Sequence, residues 1–237
     1  ASDVYKRQAD DVEDITSICG GLNINIGTLN KNTIPSMFLA GKKANELGHI
    51  VLLDPVGAGA SRLRTDTANR LMQEVRFDAV RGNISEIKTL CTGSGSTKGV
   101  DADAVDAVTE ANLDDGVQLV KTFAQRAGCI VAVTGAIDLV SDGERCWCIR
   151  NGRAEMSRIT GTGCQLSALM TAFLVANPDH KLAAAAAAVC MMGLAGEIGW
   201  ANMQPGDGNS TYRNRIIDAI FNMTGDALEK GAKYELR

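Results

Sequence analysis

The chain has 237 residues, 45% of them hydrophobic and 22% charged, which is enough for one domain with a sizeable core. Its net charge is −4 and its basic residues are scattered, which argues against a nucleic-acid-binding surface. Seven cysteines without a Cys-x-x-Cys pair favour a reduced, cytoplasmic protein, and two histidines make zinc chemistry an unfavoured alternative.

Strands and helices are predicted to alternate through the first half of the chain. Strands are expected over residues 22–26, 49–53, 79–81 and 129–134, and helices over 34–47, 65–75, 84–91 and 114–126. Gly48 is a typical helix stop after the first of these helices. This alternation predicts a parallel sheet that is covered by helices on both faces.

The pattern changes in the second half of the chain. Short strands are predicted over 139–141, 145–149 and 154–159, because Asp142-Gly143 and Asn151-Gly152 are typical hairpin dipeptides. Helices follow over 164–176, 181–200 and 212–229, and residues 92–99 are expected to form a Gly/Ser-rich loop. The apolar run 182–196 is shorter than the roughly 20 residues of a membrane span, so we expect a buried helix and no membrane partner.

One domain over 1–237 is expected, because no internal repeat and no interdomain linker are apparent. Residues 1–8 have no clear pattern, and residues 10–14 resemble the first turn of a helix already in progress. We therefore expect 1–8 to be a foreign extension and the natural N-terminal segment to be missing.

The segment Thr160-Gly161-Thr162-Gly163-Cys164 directly precedes an apolar helical run. The free N–H groups and the dipole at a helix start bind anions, so Gly161, Thr162 and Gly163 are predicted to form an anion hole. Cys164 lies in the first helical turn, where the dipole favours a thiolate. A free cysteine is usually a small buried hydrophobe, but this position favours a catalytic role.

Polar residues also end the predicted parallel strands, at the edge where ligands bind in open α/β sheets. Asp54 is held at one strand tip by the proline that follows it. Asn83 and Glu86 either form a capping box or hold Mg²⁺, with Arg81 clamping a phosphate oxygen. Thr134 either contacts a nucleotide phosphate or simply ends its strand.

The order and spacing of these motifs resemble those of the hydroxyethylthiazole kinases, thiamine-salvage enzymes of the ribokinase-like superfamily. The resemblance covers roughly residues 9–237. It rests on Ile26-Gly27-Thr28, the segment from Asp54 to Ala60, Arg81-Gly82-Asn83 with Glu86, Val133-Thr134-Gly135, and the segment from Thr160 to Cys164. Most ribokinase-like sugar kinases carry an aspartate where this chain has Cys164. The family's usual first strand and its Asn-containing segment find no counterpart here.

The resemblance implies a three-layer α/β/α ribokinase-like fold with a mainly parallel central sheet and a C-terminal helical region. It also implies ATP- and Mg²⁺-dependent phosphorylation of 4-methyl-5-(2-hydroxyethyl)thiazole by a homotrimer, with the thiazole pocket between subunits. By resemblance, the ATP contacts are Arg81 and Thr134, the thiazole contact is Gly161, the acidic residues near Mg²⁺ are Asp54 and Glu86, and Cys164 lies beside the substrate hydroxyl. We group Asn83 with the cofactor-binding residues.

Two alternatives stay open at this point. One is another small-alcohol kinase of the same superfamily, such as a hydroxymethylpyrimidine kinase. The other is a nucleotide-binding protein without catalysis. A dinucleotide-binding oxidoreductase is disfavoured, because no Gly-x-Gly-x-x-Gly motif follows the first predicted strand.

Overall fold

A seven-stranded sheet, with its strands in sequence order, runs through the part of the chain that this computed structural model describes, residues 10–92 and 107–237. The strands are β1 Gly21–Asn25, β2 Ile50–Asp54, β3 Ala79–Asn83, β4 Ile130–Thr134, β5 Asp138–Ser141, β6 Cys146–Ile149 and β7 Tyr234–Leu236. The helices are α1 Val12–Ile18, α2 Thr33–Leu47, α3 Arg62–Glu74, α4 Ile84–Thr92, α5 Leu113–Ala127, α6 Thr162–Ala176, α7 Lys181–Ala201, α8 Asn209–Asn222 and α9 Gly225–Gly231.

The sheet has a parallel part and an antiparallel part. Strands β1 to β4 pair in parallel, as the alternation of strands and helices predicts, whereas β4 to β7 pair antiparallel. In the parallel part Asn25 is the register partner of Asp54, and Asn83 is that of Thr134. The polar ends of these strands therefore meet along one edge of the sheet.

Two hydrophobic cores lie on opposite faces of the sheet. Alternate residues of one strand point to opposite faces, so that Val51 and Leu53 pack into one core while Ile50 and Leu52 pack into the other. Helices α2 to α5 contribute to the first core, and α6 to α8 contribute to the second. The predicted three-layer α/β/α architecture with a C-terminal helical region is confirmed.

Most predicted elements of the first half are confirmed to within a few residues. Gly48 ends α2 in the left-handed conformation, with a φ of 69°. The hydroxyl of Ser61 accepts a hydrogen bond from the Arg64 N–H at 3.3 Å, and α3 consequently begins three residues earlier than predicted. The helix expected to be in progress at residues 10–14 begins at Val12. The expected loop 92–99 lies outside the described residues beyond Thr92.

The predicted strand over 154–159 is wrong, and so is the predicted hairpin at Asn151-Gly152. Residues Ala154–Arg158 form a short 3-10 helix, because Gly152 turns the chain with a φ of 119°. The Asn151 side chain instead accepts a hydrogen bond from the Lys233 N–H at 2.7 Å. This contact brings the end of the chain beside β6, where β7 becomes its second neighbour.

The prediction of one continuous helix over 212–229 is also wrong. It is divided into α8 and α9, because Met223 and Thr224 are extended. The hydroxyl of Thr224 accepts a hydrogen bond from the Ala227 N–H at 3.2 Å and caps the second helix.

The apolar run 182–196 lies in α7, which begins at the predicted residue and ends one residue later than predicted. By length and composition alone, Pro178–Ala201 is long and apolar enough to cross a membrane, so the prediction that it is too short was wrong. Its most apolar window is 72% buried inside the protein, which is typical of a core helix. The prediction of a buried helix is confirmed, with alanines such as Ala185 and Ala188 completely buried.

Candidate active site

Asp54 is the most deeply buried polar group at the edge where the parallel strands end. Its side chain is 0% exposed, and its Oδ2 accepts hydrogen bonds from Asn25 Nδ2 and Ser167 Oγ, each at 2.8 Å. Its Oδ1 has no hydrogen-bond partner among the described residues and lies 3.8 Å from a terminal nitrogen of Arg81. Burial raises the pKa of this carboxyl, and the Arg81 charge opposes the rise.

Cys164 lies beside this carboxylate, at the start of α6. Its thiol is exposed, and its Sγ is 3.2 Å from Nδ2 of Asn25, the same nitrogen that donates to Asp54. The two hydrogens of one amide group can therefore serve the carboxylate and the sulfur together. The predicted proximity of Asp54 and Cys164 is found, with Asn25 between them.

Arg81 connects β3 to both β4 and α6. One terminal nitrogen donates to Thr134 Oγ1 at 2.7 Å, and the side chain is only 12% exposed. A Cβ built at Gly163 would lie 2.6 Å from the guanidinium, so a glycine at this position leaves the space that Arg81 fills. The structure thus brings Arg81 and Thr134 to the predicted anion hole.

The start of α6 has the geometry of an open helix end. Gly161 is the N-cap residue, with a φ of 98°, a conformation that favours glycine, and among the described residues no side-chain cap is formed there. The first N–H groups of an α-helix have no acceptor within the helix, so those of Thr162 and Gly163 are suited to an anion.

Asn83 and Glu86 form the capping box that the sequence left open as one alternative. The Asn83 N–H donates to Glu86 Oε2, and the Glu86 N–H donates to Asn83 Oδ1, each at 2.8 Å. Glu86 Oε1 also accepts the Gly57 N–H at 2.8 Å. Burial raises the pKa of this carboxyl, and the two backbone hydrogen bonds and the Arg81 charge oppose the rise.

The Gly135 N–H, next to Thr134, is already used within the turn that follows β4. It donates to Asp138 Oδ1 at 2.8 Å, so it does not point freely at a phosphate. Burial raises the pKa of Asp138 to about 7, although this hydrogen bond and the Arg81 charge lower it. The Thr134 hydroxyl, which accepts from Arg81, keeps a hydrogen that it can donate.

A cavity of about 550 Å³ opens beside Cys164. It extends along β1 and α2, with lining residues that include Ile24, Met37, Val56 and Ala168. Gly161, the thiazole contact implied by the resemblance, is not among its lining residues, whereas Cys164 and Asn25 are.

Sequence reasoning missed Asn25, Ser167 and Asp138. Asn25 ends β1, so the rule that parallel strands end at one edge could have found it. Ser167 follows Cys164 by three residues and therefore shares its helix face. Of these three residues, only Asp138 could not be recognised from the local sequence, because its contact with the Gly135 N–H depends on the conformation of the turn between them.

Comparison with known proteins adds to this geometry. The family model described as "Hydroxyethylthiazole kinase family" matches residues 1–226. A protein of Clostridium acetobutylicum named hydroxyethylthiazole kinase is 53% identical over 235 residues, which cover 99% of this chain and 86% of the relative. The chain belongs to the hydroxyethylthiazole kinase family. A second relative of that name, from Clostridium beijerinckii, is 46% identical over 96% of this chain and 82% of its own length.

Solved structures agree with the family. The chain superposes on the hydroxyethylthiazole kinase protein of Pyrococcus horikoshii with a TM-score of 0.84 and 29% identity, over 98% of this chain and 82% of that one. A pyridoxal kinase of Staphylococcus aureus, solved with AMP-PCP and pyridoxal, gives a TM-score of 0.57 at 17% identity, over 95% and 75% of the two chains. This second likeness shows the fold alone, and the predicted ribokinase-like fold is confirmed. The family match includes residues 1–8. These residues lie outside the described part of the chain, and their foreign origin stays a prediction.

Proposed function

We propose that this protein transfers the γ-phosphoryl group of ATP to the hydroxyethyl group of 4-methyl-5-(2-hydroxyethyl)thiazole. The observation that carries this proposal is the Asn25 amide, which bonds Asp54 and contacts Cys164 Sγ at the wall of a largely apolar cavity. A small heteroaromatic ring suits such a cavity, and its alcohol would then lie beside the polar groups. The names of the relatives support the same substrate.

The phosphates of ATP would bind on the other side of Cys164. The Arg81 guanidinium lies against Gly163 and bonds Thr134, so a cation and a hydroxyl stand next to the open N–H groups of α6. Negative charge on the transferring group would be stabilised by these donors. Asn83 fixes the turn at the end of β3, next to this side of the site.

Cys164 is proposed to orient the substrate hydroxyl rather than to remove its proton. A loose transition state for phosphoryl transfer requires little help from a base. The Asn25 amide holds the sulfur at 3.2 Å, and the same amide is anchored by Asp54. The thiol therefore has a defined position from which it can direct a hydroxyl toward the phosphoryl group.

Asp54 and Glu86 fit a magnesium ion that arrives with ATP. Asp54 Oδ1 is a buried carboxylate oxygen that accepts no hydrogen bond from the part of the chain the structure describes. Each Glu86 oxygen accepts one N–H and keeps a second lone pair. Within the described residues no group of three metal-ligating side chains occurs, which suits Mg²⁺, an ion usually held by few carboxylates together with phosphates and water. When bound, Mg²⁺ would neutralise phosphate charge.

We also propose a cytoplasmic homotrimer that serves thiamine salvage. All seven cysteines are free thiols, which supports a reducing compartment. The cavity runs along β1, an outer strand of the sheet, and this position supports a pocket that is completed between subunits. Size-exclusion chromatography with light scattering would measure the assembly, and a stable monomer would contradict the trimer.

The function is tested by ATP-dependent phosphorylation with Mg²⁺ of hydroxyethylthiazole, hydroxymethylpyrimidine and ribose in parallel. We expect turnover of the thiazole, and loss of turnover when EDTA removes the metal. Arg81→Ala should lose activity, whereas Arg62→Ala is the matched control, because Arg62 has a side chain that is 93% exposed. Turnover of the pyrimidine instead would overturn the assignment, and ATP binding without any transfer would favour a non-catalytic protein.

A further inference from the structure

Ser167 is a buried residue of α6 whose hydroxyl bonds outside its own helix. Serine and threonine hydroxyls inside a helix often donate to the carbonyl four residues earlier. Ser36 and Thr171 do so, each at 2.9 Å. The Ser167 Oγ lies 3.2 Å from the corresponding Gly163 carbonyl but 2.8 Å from Asp54 Oδ2. Because a hydroxyl has one hydrogen, the shorter contact, to a charged oxygen, receives it, and α6 is thereby tied to the end of β2.

The hydrogen bonds that Asp54 accepts from the described residues all reach one of its two oxygens. Ser167 and Asn25 each donate to Oδ2 at 2.8 Å, whereas Oδ1 accepts none. Oδ1 lies 3.8 Å from Nη1 of Arg81, which is too far for a hydrogen bond. The carboxylate and the guanidinium, with side chains 0% and 12% exposed, therefore stand side by side without the direct bond that such pairs commonly form.

This gap leaves Arg81 with a donor for a ligand. Its Nη2 donates to Thr134 Oγ1 at 2.7 Å, whereas its Nη1 reaches the Asp54 carboxylate only at 3.8 Å. A Cβ built at Gly163 would lie 2.6 Å from Nη1 and 2.9 Å from Nη2, so Nη1 is the terminal nitrogen nearer to the start of α6. The transferring phosphoryl group is proposed to lie beside that helix start. Nη1 is therefore the nitrogen of Arg81 that is best placed to bond this group.

We propose that Ser167 is a positioning residue, which holds the Asp54 carboxylate back from Arg81 and so keeps Nη1 available for the transferring phosphoryl group. Without the Ser167 hydroxyl the buried carboxylate lacks one donor, and the cation beside it is Arg81. A movement of roughly 1 Å brings Oδ1 to the distance of a charge-assisted hydrogen bond, about 2.8 Å. The guanidinium then bonds Asp54 instead of the phosphoryl group. This inference rests on the proposed function.

Crystal structures of the wild-type protein and of Ser167→Ala, both without ligands, test the movement of Asp54 independently of any substrate. We expect the distance between Asp54 Oδ1 and Arg81 Nη1 to shorten from 3.8 Å to about 2.8 Å in the variant. Asn25 should still donate to Oδ2, because its amide is not changed.

Steady-state kinetics with Mg-ATP and the thiazole test the effect on phosphoryl transfer. In Ser167→Ala we expect kcat to fall roughly 10- to 150-fold, the effect of one hydrogen bond to a charged group. The KM for ATP should stay within about twofold of the wild-type value, because the lost contact is made to the transferring group in the transition state. A merely structural role would not predict this difference between kcat and KM.

Thr171→Val is the matched control, because Thr171 is buried one turn further along α6 and donates its hydroxyl to the Ser167 carbonyl. It should leave kcat unchanged. In an Arg81→Ala background, Ser167→Ala should change kcat by less than about twofold, because the guanidinium through which it acts is absent. Ser167→Cys keeps a weaker donor, so its kcat should fall less, and it serves as the second variant if Ser167→Ala does not fold.

The distance and the kinetics separate this inference from the proposed function. If the protein phosphorylates the thiazole, a wild-type distance or a wild-type kcat in the Ser167 variant overturns this inference alone. A loss of kcat that persists undiminished in the Arg81→Ala background also overturns it. A shortened distance in a protein without turnover overturns only the proposed function, and an unchanged distance in such a protein overturns both.

Discussion

Gly163 lies so close to Arg81 that even a methyl group would displace the guanidinium. A Cβ at this position would lie 2.6 Å from one terminal nitrogen and 3.1 Å from Cζ of Arg81. These atoms are the far end of a flexible side chain, so in Gly163→Ala the arginine moves and the helix stays. Alanine is favoured over glycine in a helix interior by up to about 1 kcal/mol. We therefore expect the variant to be as stable as the wild type or more stable.

We expect the Gly163→Ala variant to have a lower kcat/KM for ATP. Displacement takes Arg81 from its 2.7 Å hydrogen bond to Thr134 and from its place beside the start of α6. Losing one hydrogen bond to a charged group is worth about 1.5–3 kcal/mol, which is roughly a 10- to 150-fold loss in kcat/KM for ATP. Steady-state kinetics with varied ATP measures this loss, and thermal unfolding measures the stability.

A double mutant decides whether Arg81 carries the effect of Gly163→Ala. In an Arg81→Ala background the added methyl group meets no guanidinium, so it should change kcat/KM by less than about twofold. Wild-type kinetics in the single variant would refute the reasoning. An undiminished loss in the Arg81→Ala background would refute it equally.

Three further predictions concern neighbouring groups. Asn25→Ala removes the amide that holds both Asp54 and Cys164, so kcat should fall about tenfold with little change in the KM for ATP; an unchanged kcat would contradict this. Folding raises the pKa of Asp138 from 3.8 to about 7, so between these pH values the native state binds one more proton than the unfolded state. The free energy of unfolding should therefore fall as the pH rises from about 4 to about 7. Asp138→Asn should flatten that fall, which urea titrations at several pH values would measure. Cys164→Asp should keep measurable turnover, because we assign the thiol an orienting role, and a complete loss would count against that role.

The parallel part of the sheet could be predicted because each strand is a short apolar run between helical patterns. The predicted strand 129–134 corresponds to Ile130–Thr134, which is buried on both faces as parallel strands are. The last strand could not be predicted, because Tyr234–Leu236 has three residues and two of them are exposed. Its partner β6 lies about eighty residues earlier, and no local pattern encodes so distant a pairing.

The candidate site could be predicted in outline for a topological reason. Parallel strands end at one edge, so Asp54, Arg81 and Thr134 were expected together and are found together. Their hydrogen bonds could not be predicted in the same way. Whether the Gly135 N–H has an acceptor depends on the position of the Asp138 side chain after the turn, and this position cannot be predicted from the local sequence.

The late pairing of β7 with β6 has a consequence for how the protein is made. Ile149 pairs with Tyr234, so the outer edge of β6 lacks this partner until the ribosome has added the 85 residues from 150 to 234. At roughly 5–20 residues per second this takes about 4–17 s. An unpaired apolar strand edge is a site of aggregation. Slower translation of this stretch would lengthen that exposure, and the yield of soluble protein would then depend on codon choice without any change of amino acid.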